Sequence, residues 1–481
     1  RVKSGAPSPA QFAAHFAAQV SDPGQPNDAG VDRFPEPAPE ARAAAAAVWE
    51  EPFSPGEAEW SLRHSRGAPG PDGVASDALK ATEGAARRWG VAAVLGLLAP
   101  DAEWHSSWRE GFQSPLWKGK GSRRDPQAYR GVVVLPVVAR AAAKVLARRL
   151  ACWVEWAGVL GDLQWGFRAG RSTAGAQLVL VRLVEEARRG CWAPGEPVAA
   201  LLDLRSAYAK VVRATLWQLL ERLGLPADVV AVLQRMHDGV AYRVRTGGAT
   251  APPYEPARGL REGCPTSPVL FNVCHAAVLH DFTERRQAQA LERGLQCGLQ
   301  WVTAAGDAAT PWEHVLFADD TTLLGTREEL LPEEPGAGAV ALFGEVLAEW
   351  GGEENAGKRE VVDLRRPPLA GGRFLGVRLR LQTERATKRQ RTWVAARRVR
   401  RMLDGVAMTL PARWAVFRAV AEPTLLFGSG VLPWGVGGLA ALDRCQGEWA
   451  RAAAQVRRRE LPDAGGETAA VLEALRGVPL S

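Results

Sequence analysis

The 481-residue sequence lacks several features that define whole classes of protein. Its six cysteines are scattered without a Cys-x-x-Cys pair, which argues against a zinc finger, and a chain of this length does not need a disulfide framework. The cysteines therefore fit a reducing compartment. No apolar run approaches the roughly 20 residues that a membrane span requires, and the first residues contain no signal-peptide core. We expect an intracellular protein without a membrane partner.

The first part of the chain, residues 1–56, is rich in proline and alanine and includes an alanine run at 43–47. Segments of this composition seldom bury enough apolar surface to fold, so we predict that this one is disordered. The total length predicts two or three folded units. Because the sequence starts at Arg1 rather than at methionine, we expect a piece of a longer polyprotein.

Positive charge is concentrated in one stretch of the chain. The net charge is only +7, yet eleven basic residues and a single acid lie between Arg373 and Arg401. Such a stripe indicates a polyanionic partner whose affinity falls as salt rises. The alternative, an ordinary solvated helix face, is what a basic run taken alone favours.

Apolar periodicity predicts the elements around the most informative residues. A strand at 197–204 carries Asp203 near its end, and residues 314–325 form a hairpin with an Ala-Asp-Asp turn. Ser267 followed by a proline predicts a helix start with Ser267 as the N-cap. Further expected elements are helices at 74–98, 137–156, 212–223 and 385–420, a buried stripe of Leu270, Cys274, Val278 and Phe282, and a strand at 373–379.

Three aspartates, Asp203, Asp319 and Asp320, are surrounded by apolar residues. Burying carboxylates beside a core is costly unless something compensates the charge, and divalent cations with oxygen ligands do so. Two such ions about 3.5–4 Å apart stabilise the attacking and leaving oxygens of phosphoryl transfer. An Asp-Asp pair alone is more often an exposed turn, so the surrounding motifs decide between the two interpretations.

Those motifs occur in a fixed order. They are residues 116–121 (LWKGKG) with Tyr129-Arg130-Gly131, 165–173 (WGFRAGRST), 202–211 (LDLRSAYAKV), 259–272 (GLREGCPTSPVLFN), the turn 317–320 (FADD), 355–358 (NAGK), 374–377 (FLGV) and 425–434 (LLFGSGVLPW). Together they resemble the reverse transcriptases of non-LTR (LINE-like) retrotransposons, over about residues 67–434.

This resemblance implies an α+β fold with the right-hand polymerase architecture: fingers, a palm with a small antiparallel sheet, and a helical thumb. The expected divisions are a disordered segment at 1–56, a helical extension at 57–114, fingers at 115–196, the palm at 197–370, the primer grip and thumb at 371–445, and a partly ordered tail at 446–481. The implied activity is RNA-directed DNA synthesis with two Mg²⁺ ions, for which Mn²⁺ can substitute. The implied partners are an RNA template, a DNA primer and dNTPs, and a eukaryotic element would place the protein in the nucleus.

The resemblance also implies roles for individual residues. Asp203, Asp319 and Asp320 bind metal, and Lys358 is a general acid for the leaving pyrophosphate. Tyr208 lies under the incoming sugar, where an aromatic ring excludes a 2′-OH. The expected nucleotide-binding residues are Lys118, Lys120, Arg130, Tyr208, Glu262 and Gly263. The expected nucleic-acid contacts are Arg168, Arg171, Ser267, Arg397 and Arg398, and for Ser267 helix capping is the preferred role.

Two positions depart from the family pattern. Ala209 stands where relatives usually have an acid, and Glu262 stands where many have glutamine. Three interpretations therefore remain: an active reverse transcriptase, a decayed or domesticated copy that binds nucleic acid without catalysis, and an enzyme like a group II intron maturase. The thumb motif at 425–434 favours the LINE-like branch over the last of these.

Overall fold

The computed structural model describes residues 6–190, 195–300 and 311–367, with scattered positions between 373 and 419. Its helices are α1 (Pro9–Ala18), α2 (Asp28–Arg33), α3 (Pro39–Ala46), α4 (Pro55–Arg63), α5 (Ser76–Lys80), α6 (Gly84–Leu98), α7 (Ser106–Arg109), α8 (Val137–Trp156), α9 (Thr173–Arg189), α10 (Ala207–Lys210), α11 (Arg213–Arg222), α12 (Ala227–His237), α13 (Ser267–Glu292), α14 (Arg327–Leu330) and α15 (Ala339–Glu349). Its strands are β1 (Glu110–Trp117), β2 (Tyr129–Val134), β3 (Pro197–Leu202), β4 (Ala241–Thr246), β5 (Ala249–Thr250), β6 (His314–Phe317), β7 (Asp320–Thr326), β8 (Glu360–Asp363), β9 (Arg373–Phe374) and β10 (Val377–Arg378). The α+β class predicted from the sequence is confirmed.

The first sheet has the order β6-β7-β3-β8, and all of its pairings are antiparallel. Its central strand β3 is an uninterrupted apolar run because both of its faces are covered. Val198, Ala200 and Leu202 belong to the largest buried cluster, whereas Ala199 belongs to a second cluster beneath α9. This double burial fixes the register of β3, since a shift of one residue would exchange its two faces.

The second sheet has the order β2-β1-β4-β5. Strands β1 and β2 pair antiparallel as a hairpin, and β1 pairs with β4 in parallel. The loop that follows β5 returns to this sheet, where Val133 of β2 donates its N–H to the Glu262 carbonyl at 2.8 Å. The second sheet is thereby tied to the residues that lead into α13.

The long helices form most of the core, as their periodicity predicts. Helix α8 has the predicted bounds, and Leu146, Leu150 and Val154 are buried. The predicted stripe of α13, which includes Leu270 and Phe282, is also buried. Helix α13 runs for 26 residues and packs against α8 and α15. The helix predicted at 74–98 is interrupted, because α5 ends at Lys80 and α6 begins at Gly84.

The prediction of disorder for residues 1–56 is wrong for the part that the structure describes. This segment forms α1, α2 and α3, and Phe12, Phe16 and Val31 are buried. Helix α1 begins with a capping box between Ser8 and Gln11, and its two phenylalanines lie on one face against β4. Composition alone missed this because a few large apolar residues, one helical turn apart, suffice to dock a short helix on a preformed surface.

A second correction concerns the predicted strand at 373–379. The described residues there form a tight hairpin instead, in which Phe374 pairs with Val377 and Arg373 with Arg378. The chain turns at Leu375, whose φ is 47°. The sequence Phe-Leu-Gly-Val offers a glycine next to the turn, which periodicity alone does not weigh.

Other predictions fall partly or wholly on residues outside the described ones. Residues 425–434, Arg397 and the tail at 446–481 lie outside them. Within the helix predicted at 385–420, the described positions 390, 394–395, 398–399, 401–403, 412, 415–416 and 419 are helical. The domain divisions within 57–481 remain predictions. No helix in the described part of the chain is long and apolar enough to cross a membrane.

Candidate active site

The register of the first sheet brings the three aspartates to one edge. Leu202, the last residue of β3, pairs with Thr321, so Asp203 emerges beside Asp320 at the start of β7. Phe317 pairs with Asp320, which leaves Ala318 and Asp319 as a two-residue turn between β6 and β7. The predicted hairpin is confirmed, although its second aspartate is the first strand residue rather than part of the turn.

A buried polar network holds the turn in an uncommon conformation. Ala318 has φ 57°, in the left-handed region that residues with a side chain seldom adopt. The Gln164 side chain accepts a hydrogen bond from the Ala318 N–H at 3.0 Å and another from the Gly166 N–H at 2.8 Å. Gly166 lies so close that a Cβ there would be 2.3 Å from the Ala318 nitrogen. The site therefore requires glycine at 166 and an amide at 164.

His275 supports the turn from α13. Its Nδ1 lies 3.3 Å from the Ala318 carbonyl oxygen and its Nε2 lies 3.3 Å from Thr321 Oγ1. Burial lowers the pKa of His275 to about 4, so the ring is neutral at neutral pH. Since a carbonyl only accepts hydrogen bonds, Nδ1 carries the proton and Nε2 accepts from the threonine. Asn272, also on α13, donates to the Gly166 carbonyl at 2.8 Å.

Sequence reasoning missed Gln164, His275 and Asn272. Gln164 directly precedes the 165–173 motif and is 154 positions from Ala318, so only the fold brings the two together. A weak signal existed for the α13 residues. Both Asn272 and His275 are polar residues on the otherwise apolar face of a buried helix, a pattern that predicts a satisfied polar network.

Two residues of the 355–358 motif contact Asp203. Lys358 Nζ lies 2.6 Å from Asp203 Oδ2, and the Asn355 amide donates to the same oxygen at 3.2 Å. The Asn355 N–H also donates to the Asp203 carbonyl at 2.8 Å. Lys358 and Asp203 are both partly exposed, so solvent screens their attraction. The structure thus places Lys358 at the carboxylates, as a residue that acts on them or on a bound group must be.

The carboxylates raise one another's pKa. Burial raises the pKa of Asp319, and the negative charge of Asp203 adds to the effect. Burial also raises the pKa of Asp320 to about 6, with further contributions from Asp319 and Asp203. Arg130 opposes both shifts. Asp319 and Asp320 therefore hold their protons more tightly than usual, and three acids at one edge are a cluster that needs positive charge.

Positive charge comes from the second sheet. Lys118 follows β1, and burial together with the charges of Lys358 and Arg130 lowers its pKa. Glu262 has a raised pKa because of burial, which Arg130 and Lys118 oppose. These mutual influences show that Lys118, Arg130 and Glu262 face the same space as the aspartates. Lys120 is exposed in the turn that follows β1.

Tyr208 lies in α10, five residues after Asp203. Its ring stacks on Phe271 of α13 with centroids 5.0 Å apart and planes at 20°. Burial raises its pKa, and the charges of Asp319 and Glu262 raise it further. The phenol is therefore neutral and oriented among the same acids. The structure thus places Tyr208 near the acids, and its contact with an incoming sugar stays a prediction.

Two residues predicted on the α13 loop have structural contacts. Ser267 is the first residue of α13 and its hydroxyl donates to the Arg261 carbonyl at 2.8 Å, so the prediction that it is the N-cap is wrong. The cap position belongs to Thr266, whose side chain makes no capping bond. Gly263 has φ 106°, and a Cβ there would lie 2.6 Å from the Val133 carbonyl oxygen. Glycine at 263 is therefore required by close packing on β2.

The predicted nucleic-acid contacts have different surroundings. Arg168 is largely buried and binds both carboxylate oxygens of Glu155 at 2.7 Å, which gives it a structural role. Arg171 binds Asp162 and lies 5.3 Å from the centre of the Trp165 ring. Arg398 is an exposed helical position. Contact of any of these with nucleic acid stays a prediction.

The donor chemistry of the site fits a hard divalent cation. All three carboxylates supply oxygen ligands, and bound positive charge would offset the repulsion that, together with burial, raises the pKa values of Asp319 and Asp320. Within the described residues, however, no group of three or more His, Cys, Asp and Glu side chains is arranged to hold a metal ion. The Lys358 ammonium instead neutralises Asp203. Cation binding would have to displace this lysine from Asp203.

Comparison with known proteins agrees with this geometry. The sequence model of the family described as "Reverse transcriptase (RNA-dependent DNA polymerase)" matches residues 118–379, which include all the carboxylates and facing cations. A probable RNA-directed DNA polymerase from transposon X-element of Drosophila melanogaster is 28% identical over 46% of this chain and 24% of its own length.

Two other relatives are named as retrovirus-related Pol polyproteins of R2 retrotransposable elements. The one from Drosophila melanogaster is 26% identical over 31% of this chain and 13% of its own length. The one from Nasonia vitripennis is 27% identical over 43% of this chain and 18% of its own length. The similarity thus covers less than a quarter of each relative. Because the family match spans more than half of the sequence, the chain belongs to the reverse transcriptase family, as its resemblance to the LINE-like enzymes predicts.

Proposed function

We propose that this chain is an active RNA-directed DNA polymerase that extends a primer 3′-OH with dNTPs on an RNA template. The observation that carries the proposal is the convergence of Asp203, Asp319 and Asp320 at one sheet edge, with Lys118 and Arg130 opposite. Acids alone would repel a triphosphate, and cations alone would bind one without positioning the reaction. The two together match a reaction between a polyanionic substrate and a metal-dependent site.

Each group has a task within this proposal. Asp203 and Asp319 would hold two Mg²⁺ ions, with Asp320 adding negative charge, and Mn²⁺ would substitute. Bound there, the ions would supply charge stabilisation at the attacking and leaving oxygens. Lys118 and Arg130 would bind the triphosphate oxygens. Lys358 would leave Asp203 when a cation binds and would then be close enough to protonate the leaving pyrophosphate.

Tyr208 would select the sugar. Its ring is fixed by stacking on Phe271 and cannot withdraw easily from the space beside the carboxylates. A 2′-OH on the incoming nucleotide would meet this ring, so dNTPs are preferred to NTPs. The variant Tyr208→Ala should lower the ratio of dNTP to NTP incorporation, whereas Tyr208→Phe should keep the ratio of the unaltered chain. An unchanged ratio in Tyr208→Ala would remove Tyr208 from sugar selection.

Under the same proposal, the two sheets belong to different parts of a right-hand polymerase. The sheet that contains β3 corresponds to the palm, and the β1–β2 hairpin belongs to the fingers. The basic stripe between Arg373 and Arg401 would lie on the thumb, where its charge meets the phosphates of the template–primer duplex. Binding of the duplex should therefore weaken steeply as salt rises.

The decisive experiment is primer extension on an RNA template with Mg²⁺ and dNTPs. Asp319→Ala should lower the rate by roughly 10³-fold or more, because it removes several kcal/mol of charge stabilisation. A matched control is Asp77→Ala, since the Asp77 side chain is 92% exposed on α5, and it should extend normally.

A second candidate, motivated by Ala209, is a copy that binds nucleic acid without catalysis. In that case the unaltered chain and Asp319→Ala would both fail to extend the primer, yet both would bind RNA with the same salt sensitivity. Extension by the unaltered chain that is lost in Asp319→Ala would exclude this candidate.

A further inference from the structure

Arg261 is a buried cation that forms no ion pair among the described residues. Its residue is only 2% exposed, and its Nε and Nη1 atoms have no hydrogen-bond partner among the described residues. No carboxylate in the described part of the chain forms an ion pair with it. A buried guanidinium that lacks a counter-charge and has two nitrogens without an acceptor carries a large desolvation cost, so something outside the chain is expected to compensate it.

Arg261 lines a cavity of about 50 Å³ that is partly open to solvent. Helix α1 contributes Phe16 to its wall, the second sheet contributes Gln113 and Tyr242, and α10 contributes Ala209. Glu262 also lines the cavity, whereas none of the three aspartates does. Its size is ample for a small ion with one or two waters.

The charge around this cavity is predominantly positive. Arg258 also lines it, and its Nε is likewise buried without a partner. Burial lowers the pKa of nearby Arg213, and the charge of Arg261 lowers it further. Arg213 has Asp238 as a counter-charge at 3.9 Å. Water could satisfy the orphaned N–H groups of Arg261 and Arg258 but could not neutralise their charges.

The acid that lines the cavity, Glu262, does not form an ion pair with Arg261. Glu262 is the one carboxylate among the described lining residues, and the cations that act on it are Arg130 and Lys118, on the side of the active site. Ala209 lines the same cavity as Arg261, and its methyl group brings no charge to it. Gly259 packs against the Ala209 backbone and holds this wall in place.

We propose that this cavity is a binding site for a small monovalent anion, carboxylate or halide, which neutralises Arg261. The anion occupies the space beside Ala209 and accepts hydrogen bonds from the unpaired Nε and Nη1 groups of Arg261. It fastens α10, and with it Tyr208, to the second sheet. The proposal does not depend on polymerase activity, because it concerns the free protein without nucleic acid or nucleotide.

The test is the melting temperature of the full chain at constant ionic strength, with formate replacing the bulky anion of a morpholinoethanesulfonate buffer. Because formate would bind the folded state alone, Tm should rise by a few degrees and then saturate. A parallel titration with chloride distinguishes a carboxylate preference from a halide preference. A linear rise without saturation, or no rise, overturns the proposal.

Two variants at position 209 separate charge from volume. Ala209→Asp supplies an internal carboxylate, so it should raise Tm in the absence of formate and abolish the formate response. Ala209→Asn fills the same space without charge, so it should reduce the response and lack the gain in Tm. If Ala209→Asp responds to formate as the unaltered chain does, the anion binds elsewhere and the proposal fails.

Discussion

The two sheets of this protein bring opposite charges to one place by different structural means. The acids lie on the β6-β7-β3-β8 sheet, where register and a buried network determine the turn that carries Asp319. The cations lie at the exposed end of the β1–β2 hairpin, where Lys118 makes one hydrogen bond to the Gln127 carbonyl at 2.8 Å. The carboxylates are therefore held rigidly, whereas the cations can adjust.

This difference follows from the chemistry that each side would perform. Metal ligands must keep their geometry to within fractions of an ångström, so their support is buried and hydrogen-bonded. A triphosphate is bound through diffuse charge, for which exposed and flexible side chains suffice. Substitutions behind the acids should therefore reduce stability together with activity, and substitutions among the cations should affect activity alone.

The largest expected loss of stability on the acidic side is at Arg286. This residue is fully buried, binds Glu329 at 2.6 Å and donates to the Leu324 carbonyl of β7 at 2.7 Å. Arg286→Met should lower the free energy of unfolding by about 3–5 kcal/mol, because it leaves Glu329 buried and unpaired. Urea unfolding measures the change.

The double variant Arg286→Met with Glu329→Gln is the control, since it removes both charges. It should recover a large part of the lost stability. Equal losses in the single and double variants would mean that volume rather than charge is what Arg286 contributes.

A smaller effect is expected at Gln164, directly behind the turn that carries Asp319. Gln164→Ala leaves the Ala318 and Gly166 N–H groups without their acceptor and should cost about 1–3 kcal/mol of unfolding free energy. Because Ala318 holds its left-handed conformation through this contact, kcat for primer extension should fall too. Gln287→Ala, at an exposed glutamine that bonds Glu313, is the matched control and should change neither quantity. A loss of stability without loss of kcat would show that the turn keeps its shape unaided.

On the basic side the expected effect appears in the kinetics. Lys118→Ala should raise KM for dNTP by about tenfold, since a hydrogen bond to a charged group contributes about 1.5–3 kcal/mol. Stability should not change, because Lys118 is exposed. Steady-state extension and urea unfolding measure the two quantities, and Arg123→Ala, at an exposed arginine on the same loop, is the control. If Lys118→Ala destabilises the protein, the contrast between the two sheets is wrong.

The elements that the sequence predicted well are those with strong local patterns. Helix α8, strand β3 and the 314–325 hairpin each bury a regular apolar face, so their periodicity determines them before any tertiary contact forms. The three aspartates could be predicted for the same reason, since each occupies the end of such an element.

What the sequence could not provide depends on contacts between distant residues. Helix α1 is stabilised because Phe12 and Phe16 pack against Val244 of β4, and the composition of the segment contains no information about that contact. The Ser267 hydroxyl donates to the Arg261 carbonyl instead of capping α13, a choice made by the shape of the preceding loop. Gln164 reaches Ala318 only through the fold.

The smallest expected effect is a pH dependence at Asp320. Its pKa rises from 3.8 in the unfolded chain to about 6 in the folded protein. Between these values the folded state binds more protons than the unfolded state, so the free energy of unfolding should fall as pH rises from about 4 to 6. Because Asp320 is exposed to solvent, screening keeps this change small.

Asp320→Asn should remove the contribution of Asp320 to this dependence, while those of Asp319 and Glu262 remain, and should be slightly more stable than the unaltered chain at pH 7. Urea unfolding at pH 4.5 and pH 7 measures both effects. Asp363→Asn, on β8 of the same sheet opposite Val198 and so away from the cluster, is the matched control and should keep the full dependence. If Asp320→Asn and the unaltered chain follow the same pH curve, the acidic edge does not hold its protons more tightly than an ordinary surface does. The contrast with the basic side would then rest on hydrogen bonding alone.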